Sequence, residues 1–395
     1  MSFHGLISSM VMLTIHRPYR QAVYDIFIFP CTYVKSGRSN HSRVLQEGTL
    51  VITSSYEMCV WRNTSMELDT FAPSILHPIA VFELFIHLLG AYVILFKTPT
   101  TMGSVKRSML MLHVCGAYLD ILLSALSTQY MFVPVAAGYT SGIYTWLGMP
   151  VYWQEYLFFS TIALTGVGLL GFFEGRYNAI VNGNGASFFS DTKRVLYIGI
   201  HLVFAIFYIF PVLFTPPDQK VGMEYLRTKL PCIPEHILEN PMLYVFCVDN
   251  TLLAWSIAIP ITIFPCQCMF FAVRIAIFLS GTKARSKRTH QLQVQFFIAL
   301  CIQVSIPMIF LTVPVVYNVY ALSNSYFNQA LNNISINIIS FHGFCSSIVM
   351  LAVHKPYRQV VFNMFFARCS RVTQRLKSVN HSQVDIETTV AVTAI

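Results

Sequence analysis

Seven long apolar runs constrain this chain more than any other feature. They cover Ile75–Phe96, Met109–Val133, Val151–Phe173, Val195–Phe214, Leu252–Leu279, Val294–Tyr320 and Leu331–Val353. A hydrocarbon layer of about 30 Å is crossed by roughly 20 residues of helix, because the backbone must bond to itself there. The expected fold is therefore all-α, a seven-helix transmembrane bundle. Composition points the same way: 55% of residues are hydrophobic and 11% are charged, against about a quarter charged in soluble domains. Pro211, Pro260, Pro265, Pro307 and Pro314 fall inside the runs. In a bundle they kink a helix, and neighbouring groups satisfy the freed carbonyls.

Basic residues set the expected orientation. About sixteen Lys and Arg residues fall on one side, including Lys97, Lys106, Arg176, Lys193 and the tail. About four, Arg62, Lys220, Arg227 and Lys229, fall on the other. The positive-inside rule makes the richer side cytoplasmic. An odd number of spans then puts the amino end outside and the carboxyl end in the cytoplasm. The net charge of +9 is spread over short clusters between apolar runs, which argues for a membrane face and against a nucleic-acid partner. The ten cysteines form no paired CxxC, no HExxH occurs and no phosphate-binding glycine loop is present. No metal, cofactor or enzymatic activity is expected.

The opening stretch is a copy of the chain's own end. Ser2–Gln21 repeats Ser340–Gln359 closely, with about sixteen of the first 26 aligned positions identical. Its apolar part is too short for an eighth span. As a signal peptide it lacks a basic start, and Arg17-Pro18 stands where small residues should precede cleavage. The joined end of a tandem sister gene is the reading that fits best. Residues 1–58 are thus expected to be an extra block with the start of an ectodomain. Residues 59–354 form the seven-helix domain, and 355–395 form a tail.

Several polar residues carry the expected chemistry. Glu174, Arg176 and Tyr177 close the third span, where a carboxylate and a guanidinium can pair at rest and the Arg, once released, can reach a protein partner. Asp120 is alone in the second span, so it should face inward and find a partner. Asn333, Asn337, Ser340 and His342 of the last span are the candidates, with Asp120, Asn337 and His342 forming a polar switch. Glu83 and His87 share a face of the first span. With Gln154, Glu155, Asp249 and Asn250 they could line an outward pocket, although each taken singly also fits inter-helical hydrogen bonding.

Cys59 and Cys232 both fall in expected outer segments, where a disulfide between them could form; Cys247 is the rival partner. Asn63-Thr64-Ser65 is a glycosylation acceptor in the same region. His354, Lys355, Tyr357 and Arg358 follow the last span and could lie on anionic lipid as a surface anchor.

Taken in order, Gly90–Pro99, Leu119–Ser124, Phe173–Tyr177, Leu230–Pro234, His342-Gly343 and His354–Arg358 resemble the nematode serpentine receptors of class H. The resemblance covers about Cys59 to Phe366. It implies a GPCR-like bundle in the plasma membrane of chemosensory neurons. Such a receptor binds an external small molecule and couples to a heterotrimeric G protein. Family members usually carry Asn where this chain has Gly175. A transporter or channel for a small solute is the alternative; transporters often show internal repeats, and none relates the two halves of this chain.

Overall fold

The computed structural model describes residues 59–99, 103–181, 191–281 and 287–364. The amino-terminal block read from the sequence, and the tail beyond 364, lie outside the described residues. Among those described, seven helical stretches are long and apolar enough to cross a membrane. They are built from α1 (Phe71–Lys97), α2 (Gly103–Ile121), α3 (Val151–Val181), α4 (Asp191–Phe207), α5 (Asn250–Gly281), α6 (Lys287–Asn324), and the pair α7 (Gln329–Ser340) and α8 (His342–Val353).

Span α3 is the most buried and forms the central post, while α4 and α5 are among the least buried. Phe82 and Phe85 on α1, Val195 and Val203 on α4, and Trp255 and Phe270 on α5 face outward, as side chains against lipid should. The interior divides along the bundle axis. One half, around Phe172, Phe271, Leu300 and Tyr357, serves the end rich in Lys and Arg. The other, around Phe158, Phe246, Leu311 and Ile336, serves the opposite end.

That opposite end carries a sheet. Strands β1 (Thr128–Phe132), β2 (Ala136–Ser141) and β3 (Tyr244–Cys247) pair antiparallel in the order β1-β2-β3. The second apolar run was expected to stay helical to Val133. Instead α2 closes in a π turn, Leu122–Leu126, and the remainder is strand. The cause is local. Ser127 N–H and Thr128 Oγ1 donate to the carbonyls of Leu122 and Leu123, at 2.6 and 2.7 Å, and so take groups that helix propagation would use. Beyond them lies an aromatic and β-branched stretch, whose apolar character alone does not distinguish strand from helix. The hairpin tip, Val133-Pro134-Val135, is buried.

The seventh span is broken at Phe341. In α7, Ser335 and Ser340 donate to the carbonyls three residues back, and Asn337 Nδ2 donates to Asn333 O. Such back-bonding bends helices. At the break the chain passes very close to α2. A Cβ placed on Gly343 would stand 2.7 Å from Gly116 O and 2.8 Å from Asp120 Oδ2. Gly199, on lipid-facing α4, has nothing within 4 Å of such an atom. Gly343→Ala should therefore cost about 1–3 kcal/mol through overpacking. Gly199→Ala should be neutral or stabilising by up to about 1 kcal/mol. Thermal unfolding of the two purified variants would measure the contrast.

Candidate functional site

Asp120 is fully buried near the middle of the bundle and gathers three spans. Its Oδ1 accepts from Gly343 N–H at 3.1 Å, and its Oδ2 accepts from Phe344 N–H. These are free donors at the first turn of α8, where a carboxylate is also favoured by the helix dipole. His342 Nδ1 lies 2.8 Å from Oδ1, and His87 Nε2 of α1 lies 3.3 Å from Oδ2.

The network continues through a third histidine. His113 Nε2 donates to the carbonyl of His87 at 2.9 Å, so its Nδ1 is an acceptor, filled by the Ser347 hydroxyl at 3.3 Å. Ser347 Oγ must then accept from His87 Nδ1, also at 3.3 Å. His87 Nε2 is left facing the carboxylate of Asp120 at 3.3 Å. Gly90 makes room for this arrangement: a Cβ there would stand 2.5 Å from His113 Cε1. Among the described residues, no group of three His, Cys, Asp or Glu side chains is arranged to hold a metal ion.

Of the expected Asp120 partners, only His342 is in contact. Asn337 and Ser340 bond within α7. Asn333 Nδ2 reaches away to the carbonyls of Met66 and Leu68. The bend of α7 aims these side chains at their own backbone and at the sheet end, so Asn337 is no part of the Asp120 contact.

The six residues expected to line a pocket also lie elsewhere. A cavity of about 80 Å³ sits between the hairpin and spans α3 to α7, and none of the six lines it. Its wall includes Phe158, Phe159, Ile257, Phe264, Leu311 and Ile336, and its roof Val133 and Val135. His87 belongs to the Asp120 network. Glu83 is buried one turn away, with Ser124 and Asp120 nearby. Gln154 accepts from Ser127 and donates to Met149 O, fixing the start of α3. Glu155 is buried, with no hydrogen bond to either carboxylate oxygen among the described residues. Asp249 is exposed and caps Thr251 N–H. Asn250 Nδ2 donates to Pro134 O at 2.6 Å and so holds the hairpin tip. Gln154, Asp249 and Asn250 are thus engaged by backbone, Glu155 stands apart from the cavity, and the cavity is left to mostly apolar side chains.

At the basic end the expected pairing changes partner. Glu174 is bound by Arg194 of α4, through Nε at 2.6 Å and Nη2 at 3.1 Å. Arg176 instead lies over the ring of Phe296 on α6, 4.4 Å from its centroid. The two residues are only two apart on α3 and point to different neighbours, since facing positions on a helix are three or four apart. Tyr177 is buried against Phe271, 5.6 Å between ring centroids. Sequence reasoning missed both Arg194 and Phe296.

The expected surface anchor is half interior. Lys355 and Arg358 are exposed, but His354 and Tyr357 are buried. Tyr357 hydroxyl meets Thr98 Oγ1 at 2.9 Å, joining the last segment to α1. His354 Nε2 donates to Gln303 Oε1 at 2.9 Å and its ring packs on Phe296. Burial lowers the His354 pKa to about 4, so the imidazole is neutral at ordinary pH. The residues alternate around the segment, and only one face meets solvent.

At the sheet end Cys59 is joined to Cys232, Cα–Cα 5.7 Å, and Cys247 is free. Asn63 is exposed nearby. The clasp that seats the hairpin was missed in the sequence. Gln329 Nε2 donates to Met131 O at 3.2 Å, and Asn332 Nδ2 donates to Val133 O at 3.1 Å. Gln329, Asn332 and Asn333 fall three or four apart on one face of α7, and that spacing was the available signal. Asn332→Ala strands a buried carbonyl and should cost about 1–3 kcal/mol. Faster amide hydrogen exchange confined to β1 and β2 would be its mark; unchanged exchange there would rule the clasp out.

A family model described as serpentine type 7TM GPCR chemoreceptor Srh matches residues 1–29 and 67–367. The chain is also similar to "Serpentine receptor class H-72" of Caenorhabditis elegans. The two are 28% identical over 294 residues, which cover 73% of this chain and 83% of that receptor.

Proposed function

The chain belongs to the Srh family of serpentine 7TM GPCR chemoreceptors, and from that premise we propose that it binds an external small molecule and signals to a heterotrimeric G protein. The ligand enters the cavity under the hairpin. The G protein meets the basic end, around Arg176 and the segment between α5 and α6. The sheet end then lies outside, where a Cys59–Cys232 disulfide is chemically at home and Asn63 is available for glycosylation. The membrane is the plasma membrane of a chemosensory neuron.

The contact of Arg176 with Phe296 carries this reading. A guanidinium over a ring is worth about 0.5–2 kcal/mol, enough to bias a two-state bundle and weak enough to release. Moving α6 away uncovers Arg176 at the face where a partner would insert. Glu174 stays with Arg194 and does not compete for it. A ligand can drive this change only by binding one arrangement better than the other.

Residues 1–58 are read as the joined carboxyl end of a sister receptor. The separate match of the family model to residues 1–29 supports this. A full-length transcript read across Thr53–Cys59 would decide it.

One observation favours a transporter instead. A broken span with a carboxylate at the break is the arrangement transporters use to hold a coupling ion, and α7, α8 and Asp120 have it. Reconstitution of the full chain separates the two readings. The receptor reading expects nucleotide exchange on an added G protein; solute flux without exchange would replace it. In the same assay Phe296→Ala should raise basal exchange by roughly two- to thirty-fold, the change in state ratio equivalent to a lost cation–π contact. Phe296→Trp should preserve the low basal rate.

A further inference from the structure

The receptor reading leaves the ligand open, and the cavity narrows it. Resting on that reading, we propose that the site selects small neutral molecules with an apolar body and one hydrogen-bonding group, and excludes ions. Among the described residues, no charged side chain lines the cavity. An ion placed there would lose its hydration and find no opposite charge. The buried intramembrane carboxylates Glu83, Asp120 and Glu155 do not line the cavity.

The polar groups on the wall are few and one-sided. Tyr208 hydroxyl already donates to Phe159 O at 3.0 Å. Thr312 and Asn318 both belong to α6 and mark that wall as the place for a ligand's single polar group. Asn318 Nδ2 also reaches Ser335 Oγ at 3.5 Å, which leaves its amide oxygen for a ligand. The rest of the lining is aromatic, aliphatic or sulfur-bearing, with Cys268, Met131 and Met308. The free volume, about 80 Å³, is roughly half that of an apolar cavity of about 150 Å³ that takes benzene. It suits a body of about three to four heavy atoms by that comparison. The buried hairpin tip, held by Asn250 and Asn332, closes one end and sets a limit on length.

Two consequences distinguish this from a nonspecific greasy interior. Affinity should rise about fourfold per added methylene until the cavity is full, and then fall. The optimum length should also follow the cavity's size. The test uses the full chain in lipid nanodiscs with methyl ketones from propanone to nonanone, and with butylammonium and butyrate as charged probes. Unfolding temperature and G-protein nucleotide exchange are read together. The expected result is a length optimum among the ketones, with both ions inert. Ala163→Leu, which fills the lining, should shorten the optimum. Val315→Ala should lengthen it, and stands alone if the first variant does not fold.

Equal binding of an ion, no ketone response, or an optimum unmoved in a folded variant would overturn the proposal. Basal exchange that depends on Arg176 is the separate control. If it persists while every ketone fails, the ligand class is wrong and the receptor reading stands. If it is absent from the wild-type chain, the receptor reading fails first.

Discussion

The bundle depends on one buried carboxylate. Asp120 is fully buried, and an unpaired charge at that depth would be costly. Its partners come from the first and seventh spans, and two of them are main-chain donors that exist only because the seventh span breaks at Phe341. Break and carboxylate therefore require each other. Without Asp120 the first N–H groups of α8 would be unsatisfied; without the break Asp120 would have histidines alone. The glycines follow from the same constraint. Gly343 lets α8 reach α2, and Gly90 lets His113 close the ring of hydrogen bonds that includes His87.

The two ends of the molecule are held by different physics. At the sheet end the contacts are a covalent bond, a three-stranded sheet and amide side chains on backbone carbonyls. Each is directional and expensive to break. At the basic end Glu174–Arg194, His354–Gln303 and Tyr357–Thr98 are also directional, but Arg176 on α3 meets α6 through an aromatic face, with ring packing around Phe296, His354 and Tyr357. Ring packing tolerates sliding in a way that a hydrogen-bonded strand pair does not. One end is built to stay and the other can rearrange, which is the asymmetry a receptor needs.

The spans were legible in the sequence because bilayer thickness fixes both length and polarity. Asp120 was legible for the same reason, since an intramembrane carboxylate must be explained. The sheet was not, because Tyr130–Val133 is as apolar as a helix and only the three polar residues before it signal the change. Glu174 was assigned to its sequence neighbour Arg176 rather than to Arg194, whose approach depends on how α3 and α4 pack. His354 and Tyr357 were placed on lipid because a basic, aromatic segment looks alike whether its rings face lipid or protein. The pocket failed most instructively. Polar residues near helix ends suggest ligand contacts, but in this bundle backbone engages Gln154, Asp249 and Asn250, and the cavity is made of side chains that sequence reading assigns to the core.

Span α6 joins these regions. Pro307 lines the apolar cavity and also a small polar space beside His113, His342 and Ser347. Phe296 lies eleven residues earlier on the same helix, about 16 Å along its axis. Pro307 leaves a carbonyl of α6 without its helical donor, so bending is cheapest there. A molecule pressing on Leu311 and Val315 would act on one arm of this lever, and Arg176 rests against the other. The polar core beside the fulcrum holds a shared donor: His342 Nδ1 stands 2.8 Å from Asp120 Oδ1 and 2.9 Å from Ile339 O. A shift of α6 at the hinge would bear on that shared donor, so the soft arm and the polar core would move together.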